Sequence, residues 1–226
     1  EIDPKFPRDT DKTQTVSFIP MRFVDGATGT LLDLQTAALA DVWKGYTHFQ
    51  EGDVLFARIT PCMENGNTVI AAGLANEKGC GSTEFMVFRP KPGLDNRYLH
   101  FFFRQPGFRE AAKQNMTGAV GQQRVPKDYL RHHPIPLPPL AEQRRIVERI
   151  ETLTARSRRA RAALSAIPDQ ADQYRRAVLA AAFRGDLTAD WREEGEPVEG
   201  NDLPQGWVWH SLGDIGVVSG GLTKNS

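Results

Sequence analysis

The sequence predicts an α+β fold, a mixed α/β domain followed by a long coiled-coil helix, on three observations. Short β-branched and aromatic runs bounded by turn formers fill the first part of the chain, without the βαβ rhythm of a doubly wound sheet. A proline cluster (Pro134, Pro136, Pro138 and Pro139) then separates them from a segment whose apolar residues recur at alternating steps of four and three. Finally, the 28 basic and 28 acidic side chains divide unevenly: 16 and 15 over residues 1–137, 10 and 7 over 138–190, and 2 and 6 over 191–226. Zero net charge therefore conceals a basic helix and an acidic tail.

In chain order, Thr15 to Val24, Asp53 to Ile59, Asn67 to Ala72 and Glu84 to Phe88 read as strands. Asp95 to Arg104 and Gly107 to Asn115 read as helices, divided by Pro106-Gly107. These elements form one expected domain over residues 1–137. The prolines that follow fix an extended connector and suit the first turn of a helix over 138–185. In that helix Ile146, Ile150, Leu153, Ser157, Ala160, Leu164, Ile167, Ala171, Tyr174, Val178 and Ala181 hold one heptad register. Running from Leu140 to Arg184 it would be about 68 Å long, capped by Gly185 and kinked near Pro168. Its narrow apolar stripe needs a partner, so Ile146, Ile150, Leu153, Ala160, Leu164, Ile167, Tyr174 and Val178 are the expected pairing residues. Residues 186–202, with Gly195, Pro197 and Gly200, read as an acidic linker. Residues 203–226, opening on the strand-like Leu203-Pro204-Gln205-Gly206-Trp207-Val208-Trp209, read as the incomplete beginning of a second folded unit.

Several function classes are excluded. The longest apolar run, Ala177 to Phe183, is far short of the roughly 20 residues a membrane span needs. Cys62 and Cys80 are too few for a disulfide scaffold or a four-thiolate zinc site and suit a reducing cytosol, so a soluble, cytoplasmic protein is expected. The chain opens on Glu1, without the apolar core of a signal peptide. No two of His48, His100, His132, His133 and His210 have the spacing of a helical zinc pair. Gly118-Ala119-Val120-Gly121 lacks the Gly-Lys-Ser/Thr of a phosphate loop, and Cys62 has no neighbouring base in sequence to activate it. The expectation is no catalytic residue, no metal and no cofactor.

Residues 104–131 are different. Arg104, Arg109, Lys113, Arg124, Lys127 and Arg131 face only Glu110 and Asp128, and are interleaved with Asn115, Thr117, Gln122 and Gln123. These residue types contact phosphates and read base edges; they also suit a solvated helix face followed by a polar loop.

Taken together, several segments resemble one family. Ile135-Pro136-Leu137-Pro138-Pro139-Leu140-Ala141-Glu142-Gln143-Arg144-Arg145-Ile146-Val147 is similar to the junction in the specificity subunits of Type I restriction-modification systems, where a target-recognition domain meets a long helix. Ala181-Ala182-Phe183-Arg184-Gly185-Asp186-Leu187-Thr188 resembles the end of that helix. Leu203 to Trp207 with Leu212 to Ile215 resembles the opening of the next recognition domain. Within the first domain, Glu51 to Gly66, Gly81 to Phe85 and Thr117 to Pro126 resemble a widespread subclass.

The resemblance implies a non-catalytic subunit that recognises a bipartite double-stranded DNA target and carries methyltransferase subunits, which modify adenine, with a restriction and translocase subunit as a further partner. In that family two recognition domains each read half of the target, and antiparallel helices space them. This sequence has one domain, one helix and the start of another domain, and lacks the opening of the first. The unpaired seam therefore implies a homodimer, whose target is an interrupted palindrome. The expected DNA contacts are Thr117, Gln122 and Gln123 at base edges and Arg124 and Lys127 at phosphates, with Thr60 and Asn65 of the Thr60 to Asn67 turn as a second set. A competing reading makes the chain a coiled-coil assembly module whose globular head binds protein. A third, an enzyme using Cys62 or the Gly118 to Gly121 loop, requires activity in the isolated chain.

Overall fold

A computed structural model describes residues 1–192, 203–204 and 206–217. The chain divides into two compact units, Glu1–Thr154 and a second beginning at Ala155.

In the first unit the strands are β1 Thr15–Ile19, β2 Val24–Asp25, β3 Thr30–Leu31, β4 Gln35–Ala38, β5 Thr47–Gln50, β6 Val54–Ala57, β7 Thr68–Ile70, β8 Lys78–Gly81 and β9 Phe85–Phe88. The helices are α1 Leu39–Val42, α2 Cys62–Asn65, α3 Asn96–Arg104, α4 Pro106–Gln114 and α5 Lys127–His132, followed by the first turns of α6 Leu140–Arg184. Three strands lie in the order β7-β6-β9 and are antiparallel throughout. Four more lie in the order β4-β1-β8-β5, with β1 and β8 parallel. The β2-β3 pair is separate.

Side-chain alternation along β6 and β9 explains the layering. Val54, Phe56, Met86 and Phe88 point into a cluster with Phe102, Phe103 and Phe108 of α3 and α4. Leu55, Phe85 and Val87 point the other way, onto Ile19 of β1 and Phe49 of β5. The three-stranded sheet is thus a middle layer buried on both faces, helices on one side and the four-stranded sheet on the other. The expected α+β class holds: in the two larger sheets every described strand pair is antiparallel except β1 with β8.

The strand expected from Thr15 to Val24 stops at Ile19, because Pro20 has no N–H for a ladder. Ion pairs and polar anchors close the unit. Asp53, almost completely buried, receives two hydrogen bonds from Arg89 at 2.8 and 2.9 Å and one from the Gln50 amide at 2.8 Å. Arg104 donates to the carbonyls of Gly26, Ala27 and Gly66. The unit extends to Thr154 because Gln143 and Val147, on the opening turns of α6, have no solvent exposure.

In α6, Pro168 removes the N–H that would serve the Leu164 carbonyl. In the second unit Gly185 ends the helix at φ +80°, a conformation that favours glycine. A 3-10 helix, Asp186–Trp191, follows. Residues 193–202, most of the expected linker, lie outside the described residues, as do Gln205 and 218–226. In the described remainder Trp207 to His210 has irregular backbone rather than the expected strand, and Leu212–Ile215 forms a short helix, α7. A strand needs a neighbour for its ladder, and among the described residues none pairs with it.

Candidate nucleic-acid interface

Met116, at the end of α4, is buried, and the chain then turns out into a hairpin. Thr117 and Arg124 exchange backbone hydrogen bonds of 3.0 and 2.8 Å, and the Gln122 amide donates to the Ala119 carbonyl at 2.9 Å to close the tip. Gly118 and Gly121 take φ of +120° and +81°, which only glycine adopts without strain. Thr117 to Gln122 are exposed, and Val120 at the tip is 98% exposed.

The second expected loop meets this hairpin at its base. The Thr60 amide donates to the Gln123 carbonyl at 2.9 Å, the Val125 amide to Arg58 at 2.8 Å, and the Thr60 hydroxyl to the Met116 sulfur at 3.7 Å. Thr60, Thr117, Gln122, Gln123 and Arg124 therefore belong to one surface feature. Asn65 does not join them: it ends α2, exposed, and makes no hydrogen bond to the hairpin among the described residues.

Each cation of the 104–131 patch has a partner within the domain. Arg124 grips both Glu84 carboxylate oxygens at 2.6 and 2.9 Å, and Lys127 pairs with Asp3 at 2.8 Å. Arg109 donates to the Glu64 carbonyl at 2.7 Å, Lys113 pairs with the Glu64 carboxylate at 2.7 Å, and Arg131 pairs with Asp128 at 3.3 Å. With Arg104 on its three carbonyls, the patch is largely a set of struts. Hydrogen bonds from Arg124 hold Glu84 below the usual carboxylate range, and Arg58, 3.5 Å from Glu84, adds to the effect.

Unpaired cations occur beside this cluster, where the sequence had not directed attention. A cleft of about 380 Å³ is lined by Lys5, Lys44, Tyr46, Thr47, Arg58 and Thr83, among others. Lys5 and Lys44 are exposed and form no ion pair among the described residues. The legible signal was the turn Lys44-Gly45-Tyr46-Thr47, a basic and an aromatic side chain around a glycine at φ +81°. Arg58 lines this cleft and adjoins Glu84, linking cleft to hairpin.

Neither cysteine carries the features of a nucleophile. Burial raises the Cys62 thiol and pushes Cys80 up to about 12, the opposite of an activated thiolate. No cluster of metal-binding side chains occurs among the described residues, and no helix there is long and apolar enough to cross a membrane.

On α6, Ile146 and Ile150 are half-buried and Leu153 exposed, in the first unit. In the second, Ala160, Leu164, Ile167 and Tyr174 are exposed and Val178 is half-buried. Most of the seam is open to solvent.

A family model described as the Type I restriction modification DNA specificity domain matches residues 39–164. The chain belongs to this family. It is 43% identical over 154 residues to the Type I restriction enzyme EcoAI specificity subunit of Escherichia coli, covering 68% of this chain and 26% of that protein. It is 40% identical over 147 residues to the EcoEI specificity subunit, also of Escherichia coli, covering 65% and 25%. The chain thus spans about a quarter of the length of these relatives. A crystal structure of the HsdS subunit from Thermoanaerobacter tengcongensis shares the fold, with a TM-score of 0.61 at 22% identity, over 90% of this chain and 48% of that one. In this family member, then, the hairpin, the cleft and most of the seam-bearing helix lie in or beside the matched segment.

Proposed function

We propose that this chain is a sequence-specific DNA-recognition subunit, without catalytic residues of its own, that directs methyltransferase and restriction subunits to a bipartite target. One observation carries the reading: a hairpin presents exposed Thr117 and Gln122, with half-buried Gln123 at its base, beside a cleft whose Lys5 and Lys44 form no ion pair among the described residues. The exposed Gln122 amide and Thr117 hydroxyl on a braced loop suit base edges, and exposed lysines suit phosphates. Arg124 and Lys127, already paired with carboxylates, act first as braces and reach phosphate only by exchanging partners.

Residues 1–137 then form the reading domain and 138–185 the spacer helix, with 186–202 a linker and 203–226 the beginning of a second reading domain. The exposed seam supports a homodimer of antiparallel helices, which also offers the docking surface for methyltransferase subunits. Two identical reading domains related by a two-fold axis read an interrupted palindrome. A spacer of about 68 Å corresponds to at most about 20 base pairs.

The test is duplex binding by the chain across a salt series. Affinity that falls steeply with salt supports DNA reading; binding to DNA that is absent at low salt defeats it.

A further inference from the structure

Gln143 is a fully buried polar side chain that the DNA-reading surface does not use, and every hydrogen bond its amide group makes joins α6 to another segment or to the connector before it. It lies in the opening turns of α6 with no solvent exposure. Its Oε1 accepts from the Asp95 amide at 2.9 Å, and its Nε2 donates to the carbonyls of Gly93 and Pro138, each at 2.8 Å. Asp95 in turn caps α3, accepting from the amides of Arg97 and Tyr98 at 2.9 and 3.2 Å. The Tyr98 hydroxyl donates to the Pro136 carbonyl at 2.7 Å. From α3 the chain of contacts continues into the sheet, through Asn96 to the Gly52 carbonyl and through His100 to the Thr68 carbonyl of β7.

An apolar contact such as that of Val147 holds a helix in place but tolerates sliding and rotation. A buried amide with three directional partners does not, because moving the helix by one residue turns the side chain by about 100° and strands donor and acceptor away from water. A polar group buried at this cost fixes a register.

We propose that Gln143 is a positioning residue for bipartite recognition: its amide locks the opening turns of the spacer helix to the start of α3 and so sets the gap at which paired half-sites are read. The proposal rests on the DNA-reading function above. Angular play at this joint is carried along any rod that leaves it, so loosening the lock blurs the gap while leaving the hairpin and cleft intact.

The experiment is selection from a random duplex DNA pool by the full chain and by Gln143→Met. Methionine retains length, apolar volume and helix propensity but makes none of the three hydrogen bonds. The expected result is one half-site sequence enriched by both proteins, with affinity for a single half-site within about twofold. The preference of the wild type for its best gap over neighbouring gaps should fall by about tenfold or more in the variant. A Gln143→Met chain with wild-type gap preference overturns the lock, and a wild-type chain that enriches no paired half-sites overturns instead the function on which it rests. Should Gln143→Met enrich nothing, Tyr98→Phe, which removes only one hydroxyl of the same joint, decides the question. A broadened gap supports the proposal and an unchanged gap refutes it.

Discussion

Acidification from pH 7 to pH 5 should weaken the first unit through His100. This histidine is buried on α3, where Nε2 lies 3.0 Å from the Thr68 carbonyl, so the neutral ring donates there. Burial, with the nearby Arg104 charge adding to it, lowers its pKa from 6.5 to about 4. The folded state therefore keeps the ring neutral where the unfolded chain already takes up a proton. Its contribution is fully present above pH 6.5 and is lost as pH falls toward 4. The gap of 6.5 − 4 corresponds to about 3 kcal/mol in total, of which about 2 kcal/mol is gone by pH 5. The assay is urea unfolding followed by circular dichroism at both pH values, for the wild type and His100→Gln, whose amide still offers a donor to Thr68. The wild type should lose about 2 kcal/mol more than the variant between pH 7 and 5. Equal losses in the two proteins would refute the assignment.

Three further outcomes follow from the surface. Lys44→Ala should weaken DNA binding and flatten the dependence of log K on log salt by about one unit, whereas Arg124→Ala should weaken binding with little change in slope, its charge being held by Glu84; equal slopes for the two variants would count against the division into phosphate contacts and braces. Gln122→Ala should relax base preference at one position of each half-site, at about 1–3 kcal/mol of discrimination, and a selected sequence identical to that of the wild type would remove Gln122 from the readers. Leu164→Glu places a charge on the open seam and should leave a monomer by light scattering at concentrations where the wild type is a dimer; a wild type that is itself monomeric at tens of micromolar would sink the homodimer.

The long helix was the most legible element, because an amphipathic register and a capping glycine are local signals: the expected span from Leu140 to Arg184 is the observed one. The middle sheet was legible for the same reason, through the runs at Val54–Ala57 and Phe85–Phe88. Strand β8, Lys-Gly-Cys-Gly, was not. It is a strand because it pairs with β1 and β5, and position 79 must be glycine because Phe49, thirty positions away in sequence, covers it so closely that a Cβ would lie 2.1 Å from the ring. Strand β4, Gln-Thr-Ala-Ala, likewise owes its conformation to pairing with β1 rather than to its own propensity.

The candidate surface divides in the same way. Both loops that meet at the hairpin base carried recognisable turn chemistry, but their meeting depends on the pairing of Ile59 with Arg124 across the fold. The role of the cations depends on partners remote in sequence: Glu84 for Arg124 and Asp3 for Lys127. A local count of charge reads both as available to DNA, and only tertiary structure shows them braced. The same blindness hid Lys5 and Lys44, which belong to no local cluster yet line one cleft.

Co-expression of the chain with its methyltransferase subunit, followed by mapping of modified adenines across the host genome, tests the central claim most directly. The account predicts methylation at one interrupted palindrome with a fixed gap. An unmodified genome, with the two proteins soluble and associated, would contradict it.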